Sequence, residues 1–463
     1  MQHPRLYTRY QRLTRREARC PRIVTGTPDA LALLLRRSSK ALGERVWLLA
    51  DENTAAAAPE LVDALGGGEH ATILPGRPAV IPDIAIAERI AADSADAGSR
   101  AIVAIGGGTL TDLAKYAARV ADLELLCVPS AASVDAYTSA RSALRIAGYH
   151  RTPDARVPAV ILACPAIIEA APDALTLAGL GDLVAKVIAR LDWELGAIVT
   201  GEAFSLREAD WSAHVARHAL ARLRRAGLRG ASVPALDALL VTGRTMLVFG
   251  SSRPSASSEH TMAHLWEVAL GAGEAPLRGA CDGLHQHHGG LRDHSDAEAH
   301  HHDLCHLYHG LLVARAAGHV VDAYRWILAR VRTAAPAGAS PHDTGRLWEE
   351  QLPPDMLPFL DKMREETGEW TLDAQEIARR RSRVSARRDL IVELADRAIA
   401  DAERGLYALE MAGLGAYAPG IPHHWVARSI QWVRHLRNRY SMFNLAFEMG
   451  WEPDLHDHLR VSR

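Results

Sequence analysis

Lysine is almost missing from this chain of 463 residues. Only Lys40, Lys115, Lys186 and Lys362 are present; the other basic residues are arginine. Cysteine is scarce too. Cys20, Cys127, Cys164, Cys281 and Cys305 are scattered, odd in number and without a CxxC pair, which excludes a disulfide framework and fits a reducing cytoplasm. No apolar run reaches about 18 residues, so no membrane span is expected. The basic opening MQHPRLYTRYQRLTRREARC has no apolar stretch and does not read as a secretory signal. Excess charge is also lacking. A formal net charge of −2 gives no general pull towards nucleic acid or anionic membrane. The basic run ARRRSRVSARR (378–388) reads as the solvated face of a helix.

What is present is chain enough for two or three domains with a large core. Against the arginine background, a retained lysine points to a role for a compact charge on a flexible stem. Lys115 closes the motif GGGTLTDLAK (106–115). Lys186 closes AGLGDLVAK (178–186), four residues after Asp182 and on the same face of a helix.

The stretch AIVAIGGGTLTDLAKYAA (101–118) is a β-type run, three glycines and a helical pattern. Glycines let the backbone turn sharply and approach a ligand, and the N–H groups opening a helix suit a phosphate. The run lacks the GxGxxG spacing and the GK[ST] ending of the common nucleotide motifs. A plain tight corner between strand and helix is the alternative. Residues 21–164 alternate strand patterns (45–51, 71–76, 101–105, 124–130 and 159–164) with helical ones (54–65, 84–92 and 109–121). That order predicts a parallel sheet covered on both faces, with ligands beyond the carboxyl ends of the strands. Asp51, Gly106, Gly107, Gly108 and Ser130 fall at such ends. Asp51 there suits a ribose hydroxyl or a helix N-cap. Residues 141–160 read as a hairpin-like excursion. After Pro165 the pattern turns helical, giving an α/β domain over 1–165, an all-α domain over 166–463 and a cleft between them. Residues 268–308, rich in Gly and His, interrupt the second domain as a solvated or metal-scavenging loop.

A few polar residues stand in apolar helical contexts: Asp182, His260 and His264 in SSEHTMAHLWEV, and His309 in LYHGLLVARAAGHVVDAY. His260 and His264 share a face. One Asp and two His with open positions would make a catalytic site for zinc, iron or nickel.

Seven segments in one order resemble the sn-glycerol-1-phosphate dehydrogenases, within the superfamily of dehydroquinate synthases and metal-dependent polyol dehydrogenases. They are GGGTLTDLAK (106–115), VPSAASVDAYTS (128–139), AGLGDLVAK (178–186), DWELG (192–196), SSRPSASSEHTMAH (251–264), YHG (308–310) and RNRYSMFNLAFEMG (437–450). The resemblance implies a dehydroquinate synthase-like fold, with a dinucleotide-binding α/β domain, a helical domain and one divalent metal in the cleft. It implies Asp182, His260 and His309 as metal ligands. It places Gly106, Gly107 and Gly108 on the pyrophosphate, with Thr109, Asp112 and Ser130 beside the cofactor, and Asp51 on the adenosine ribose, favouring NAD over NADP. It puts Asp135 and Lys186 at the reacting centre, and Asp135, His264 and Arg253 against substrate. Arg253 equally suits a structural role in its turn. The implied reaction reduces glycerone phosphate to sn-glycerol 1-phosphate in a cytoplasmic enzyme, a homo-oligomer such as a dimer. Lys186 and Arg253 would help to receive the phosphate.

Three departures stand out. His260 and His309 lie 49 residues apart, farther than the family spaces these segments, and the tract between supplies rival ligands in His285, His288, His301, His302 and His306. His309 is preferred because only YHG leads at once into a long apolar helix. The polar sequel to that His is replaced by LLVARAAG. Around the hairpin, ILAC and Arg151 replace an expected acid and lysine. A dehydroquinate synthase-like cyclase, a neutral-polyol dehydrogenase and a non-catalytic relative remain alternatives. The cyclases carry Glu where Asp182 stands.

Overall fold

The computed structural model describes residues 20–67, 70–77, 80–146, 149–271, 308–333, 374–418 and 420–461. Its strands are β1 (Arg22–Thr25), β2 (Val46–Asp51), β3 (Ala71–Leu74), β4 (Ala101–Gly106), β5 (Glu124–Pro129), β6 (Leu144–Ile146), β7 (Tyr149–Arg151) and β8 (Val160–Ala163). Six of them form one parallel sheet in the order β1-β8-β5-β4-β2-β3, while β6 and β7 pair as an antiparallel hairpin.

Alternation along the strands explains the layers. Val103 and Ile105 face one side, packing with Leu48, Ala50, Val128, Leu162 and, from helix α1 (Pro28–Ala41), Leu31 and Leu35. Ile102 and Ala104 face the other side with Leu49, Leu125, Cys127 and Ile161. Leu110 and Leu113 of α5, introduced below, complete that second layer. Each fully buried aliphatic side chain of this kind contributes about 1.5–3 kcal/mol.

The single helix expected over 54–65 is two, α2 (Glu52–Ala57) and α3 (Pro59–Asp63). Pro59 has no N–H to continue the first and instead opens the second. The strand expected to reach residue 76 ends at Leu74. Next come α4 (Ile84–Asp96) and α5 (Gly108–Val120). From β2 the chain crosses to β3 on one side, and from β4 to β5 on the other, so the connections diverge between β2 and β4. Their register runs Val46↔Ala101 to Leu49↔Ala104, which brings Asp51 level with Gly106 at the carboxyl edge. Parallel sheets receive ligands at such a divergence.

Every described element after β8 is a helix: α6 (Pro165–Ala170), α7 (Asp173–Thr200), α8 (Leu206–Phe249), α9 (Ser258–Gly271), α10 (His309–Thr333), α11 (Ala374–Ala386), α12 (Arg388–Met411), α13 (Leu414–Tyr417), α14 (His423–Leu436), α15 (Met442–Glu448) and α16 (Glu452–Val461). Helix α7 is buried on almost all sides from Thr176 to Val199, because it is apolar all round and packs against α8, α10 and α12. It ends at Gly201 with φ +79°, the left-handed cap that glycine adopts freely. Helix α8 breaks at Gly227. By length and composition it is apolar enough to cross a membrane, contrary to the expectation from the sequence, but Leu236, Leu239, Leu240 and Val241 are buried in the core with α7. The rival histidines 285, 288, 301, 302 and 306 lie outside the described residues.

Candidate metal centre

Three helices bring the centre together. Asp182 lies on the third turn of α7, His260 in the first turn of α9, and His309 opens α10. Two glycines let α7 and α10 cross in backbone contact. A Cβ added to Gly310 would lie 1.8 Å from the Ala178 carbonyl, and one added to Gly181 would lie 2.2 Å from the Gly310 carbonyl. Only glycine permits that approach. As a result, one ligand atom from each of Asp182, His260 and His309 lies within 4.8 Å of the others.

Each imidazole is backed by a carboxylate. His260 has Nδ1 2.9 Å from Glu259 Oε1 and Nε2 3.1 Å from Asp182 Oδ1. His309 has Nδ1 2.7 Å from Glu267 Oε1. With the protons on Nδ1 and donated to Glu259 and Glu267, both Nε2 lone pairs are free to bind a cation. Carboxylate-backed imidazoles beside an aspartate are the usual surroundings of a bound transition metal. The donor set therefore fits a divalent ion.

His264 joins as a neighbour. Its Nδ1 is 2.8 Å from the second oxygen of Glu267, and its ring stacks on His309 at 4.8 Å between centroids. Burial raises Glu267, but His309 and His264 outweigh that and hold its carboxyl well below the usual range. Burial likewise pulls His309 down, yet Glu267 holds it above the ordinary histidine value.

Lys186 is fully buried, with Nζ 2.7 Å from Asp182 Oδ1, 2.9 Å from Asp135 Oδ2 and 3.1 Å from the Ser255 carbonyl. Burial opposes its charge, but Asp135 and Asp182 more than restore it and its value is raised. Burial also opposes the charge on Asp182, yet Lys186 and then His260 hold its carboxyl below the usual range. Asp135 reaches the cluster from the loop after β5, and its backbone N–H donates to Asp182 Oδ2 at 3.2 Å. The expectation that Lys186 helps receive a phosphate needs correction, because its ammonium is enclosed among these oxygens.

Two more expectations change. Asp112 is buried beneath the glycine turn, 3.3 Å from Lys115 Nζ, and burial raises its pKa. It serves Lys115 rather than a cofactor. Lys115 in turn donates to the Ala136 carbonyl at 2.9 Å, to Ser139 Oγ at 3.0 Å and to the Arg141 carbonyl, tying down the segment after Asp135. Arg253 is buried, with Nε 2.9 Å from Glu202 Oε2 and Nη2 3.1 Å from the Tyr440 carbonyl. These contacts fit the structural alternative, while its Nη1 is buried with no hydrogen-bond partner among the described residues.

The glycine turn packs on the segment that leads into the metal-type cluster: a Cβ added to Gly108 would lie 2.4 Å from Val134, the neighbour of Asp135. Gly107, Gly108 and Thr109 are partly exposed at the sheet edge, and Ser130 N–H donates to the Gly106 carbonyl at 3.0 Å. Asp51 caps α2, accepting the Thr54 N–H at 2.7 Å. Such a cap contributes about 1 kcal/mol. Glu259 and Glu267 were missed by the sequence reading. Their signal was position: one adjoins His260, and the other lies three residues after His264 on the same face.

Residues 22–172 match the family model of the iron-containing alcohol dehydrogenases. Among curated relatives, the NAD(P)+ glycerol-1-phosphate dehydrogenase of Methanothrix thermoacetophila is 33% identical over 265 residues, 55% of this chain and 72% of the relative. That of Bacillus velezensis is 32% identical over 187 residues, 39% of this chain and 46% of the relative, and that of Sulfolobus acidocaldarius 33% over 192 residues, 40% and 54%. The chain spans about half the length of these last two relatives. An iron-containing alcohol dehydrogenase from Thermococcus thioreducens superposes with a TM-score of 0.54 at 15% identity, covering 96% of this chain and 99% of that one. At that identity the likeness concerns the fold alone.

Proposed function

Because this chain belongs to the glycerol-1-phosphate dehydrogenase family, among the metal-dependent polyol dehydrogenases, we propose that it is a metal-dependent NAD(P) oxidoreductase interconverting glycerone phosphate and sn-glycerol 1-phosphate. The observation that carries this reading is the convergence of Asp182, His260 and His309, with a carboxylate behind each imidazole. A zinc, nickel or iron ion held by these three would supply a Lewis acid for the substrate oxygen. The nicotinamide supplies the hydride chemistry.

The chain's own residues do the rest. Gly106, Gly107 and Gly108, with the first N–H groups of α5 and with Thr109 and Ser130, receive the pyrophosphate at the sheet edge. Asp51, level with that turn, meets the ribose hydroxyls with the carboxylate oxygen that does not cap α2. Lys186 pairs with both Asp135 and Asp182, fixing them in place, and holds Asp182 ionised. Asp135 and His264 border the space where substrate sits. Residues 1–165 act as the cofactor domain and 166–463 as the metal domain.

The enclosure of Lys186 and Arg253 favours a second reading, in which the substrate is a neutral polyol that needs no cationic partner. Steady-state NADH oxidation by the metal-loaded enzyme separates the two. Glycerone phosphate should give the higher kcat/KM, and equal or faster turnover of dihydroxyacetone replaces the first reading with the second.

A further inference from the structure

Asp192, in the DWELG segment, is buried ten residues beyond Asp182 on α7 and touches neither substrate space nor the candidate ligands. It nevertheless collects contacts from the other helices that carry them. Its Oδ2 accepts from Ser257 Oγ at 2.6 Å, at the start of α9, and from the Tyr324 hydroxyl on α10 at 2.7 Å. The same Tyr324 oxygen lies 3.0 Å from Ser258 Oγ. Its Oδ1 accepts the Met442 N–H at 3.2 Å, where α15 begins.

These bonds have consequences at the metal centre. Helices α7 and α10 already meet at Gly181 and Gly310. The Asp192–Tyr324 bond is a second attachment farther along both, and two attachments remove the swing that one crossing leaves. Ser257 extends the connection to His260, since its N–H donates to Glu259 Oε1 at 2.8 Å and that same oxygen receives His260 Nδ1.

We propose that Asp192 is the positioning residue that fixes the mutual placement of the three ligand-bearing helices, and through Ser257 and Glu259 the aim of the His260 imidazole. The inference rests on the reading of Asp182, His260 and His309 as metal ligands. Asp192 acts on the metal only through other residues.

The test uses the full-length chain stripped of metal. Zinc affinity is read against a competing chelator, the cobalt(II) absorption spectrum reports coordination geometry, and melting of the metal-free protein reports the fold. Asp192→Ala and Tyr324→Phe should each weaken zinc binding by about 10–100-fold, the range expected when a group that orients a ligand is lost, and alter the cobalt bands. Asp192→Asn, which keeps an oxygen for Ser257 and Tyr324, should recover most of the affinity. Unchanged zinc affinity and cobalt bands in Asp192→Ala, with or without a lower melting temperature, overturn the proposal. Tyr324→Phe decides in the same way if Asp192→Ala does not fold. His260→Ala separates this failure from that of the underlying reading. If it binds zinc as tightly as the wild type, the ligand assignment itself is wrong; if it alone loses zinc while the Asp192 and Tyr324 variants bind normally, only the positioning role falls.

Discussion

Glu267 serves two imidazoles at once, one oxygen for His264 and one for His309. Replacing it with Gln removes the charge and leaves one of the two nitrogens facing an amide N–H₂. Glu267→Gln should weaken zinc binding by about 10–100-fold while the fold survives; unchanged affinity in a chelator competition would show that His309 needs no orienting partner. Asp192 makes a separate prediction through pH. Burial pushes it up to about 7, although Ser257 and Tyr324 both donate to it. The folded chain keeps this proton where the unfolded chain, with an ordinary value of 3.8, has released it. Its contribution is therefore fully present below about pH 4 and is lost as pH rises through about 7. Relative to Asp192→Asn, the wild type should lose Tm between about pH 4 and pH 7, and a difference that is flat or of opposite slope refutes the shift. Asp182, His260 and His309 were legible in the sequence because polar residues in apolar helices need a reason to be there. The scarcity of lysine singled out Lys115 and Lys186. Their roles were not legible, because burial and partners belong to the fold: both lysines bind the protein's own oxygens.

At the scale of elements, the crossing of α7 and α10 sets the distance between two of the three candidate ligands. Glycine inside a helix reads from sequence as a weakness, so nothing marked Gly181 and Gly310 as a contact. The structure distinguishes them from Gly318 on the same helix, around which a Cβ would meet nothing within 4 Å. Gly310→Ala should cost about 1–3 kcal/mol through forced separation of the helices, with weakened zinc binding. Gly318→Ala should instead gain about 0.5–1 kcal/mol. Paired thermal melts check this; equal effects at the two positions would mean that α10 adjusts freely. The alternating strands and helices of the first half were readable because turns and periodicity are local. The division of 54–65 at Pro59 was also local and was overlooked. The sheet order was not readable, since it depends on which strands pair across the molecule.

For the whole molecule, the sheet offers its carboxyl edge, with Asp51 level with Gly106, and the helices carry the metal-type cluster. The sheet edge followed from the alternation of strands and helices, and the metal-type cluster from the family resemblance that the order of motifs carries. Which histidine completes the set did not, since the His-rich tract offered several. Among the described residues His309 joins Asp182 and His260, and with it as the third ligand, replacing His285, His288, His301, His302 and His306 together with Asn should leave one tightly bound zinc per chain by elemental analysis. Loss of that zinc would return the third ligand to the tract. The cluster also has an electrical character. Asp135, Asp182, Glu259 and Glu267 set four carboxylates against the single ammonium of Lys186 among the described residues. Even with the Arg439 guanidinium that Glu259 supports counted beside Lys186, the carboxylates outnumber the cations, so with neutral imidazoles the cluster is net anionic before a divalent cation enters. The protein therefore attracts cations here and repels a dianionic phosphate approaching the same spot. Whatever receives the phosphate of a phosphorylated substrate stands outside this hollow, so the two ends of such a molecule are sorted by sign before any contact is made.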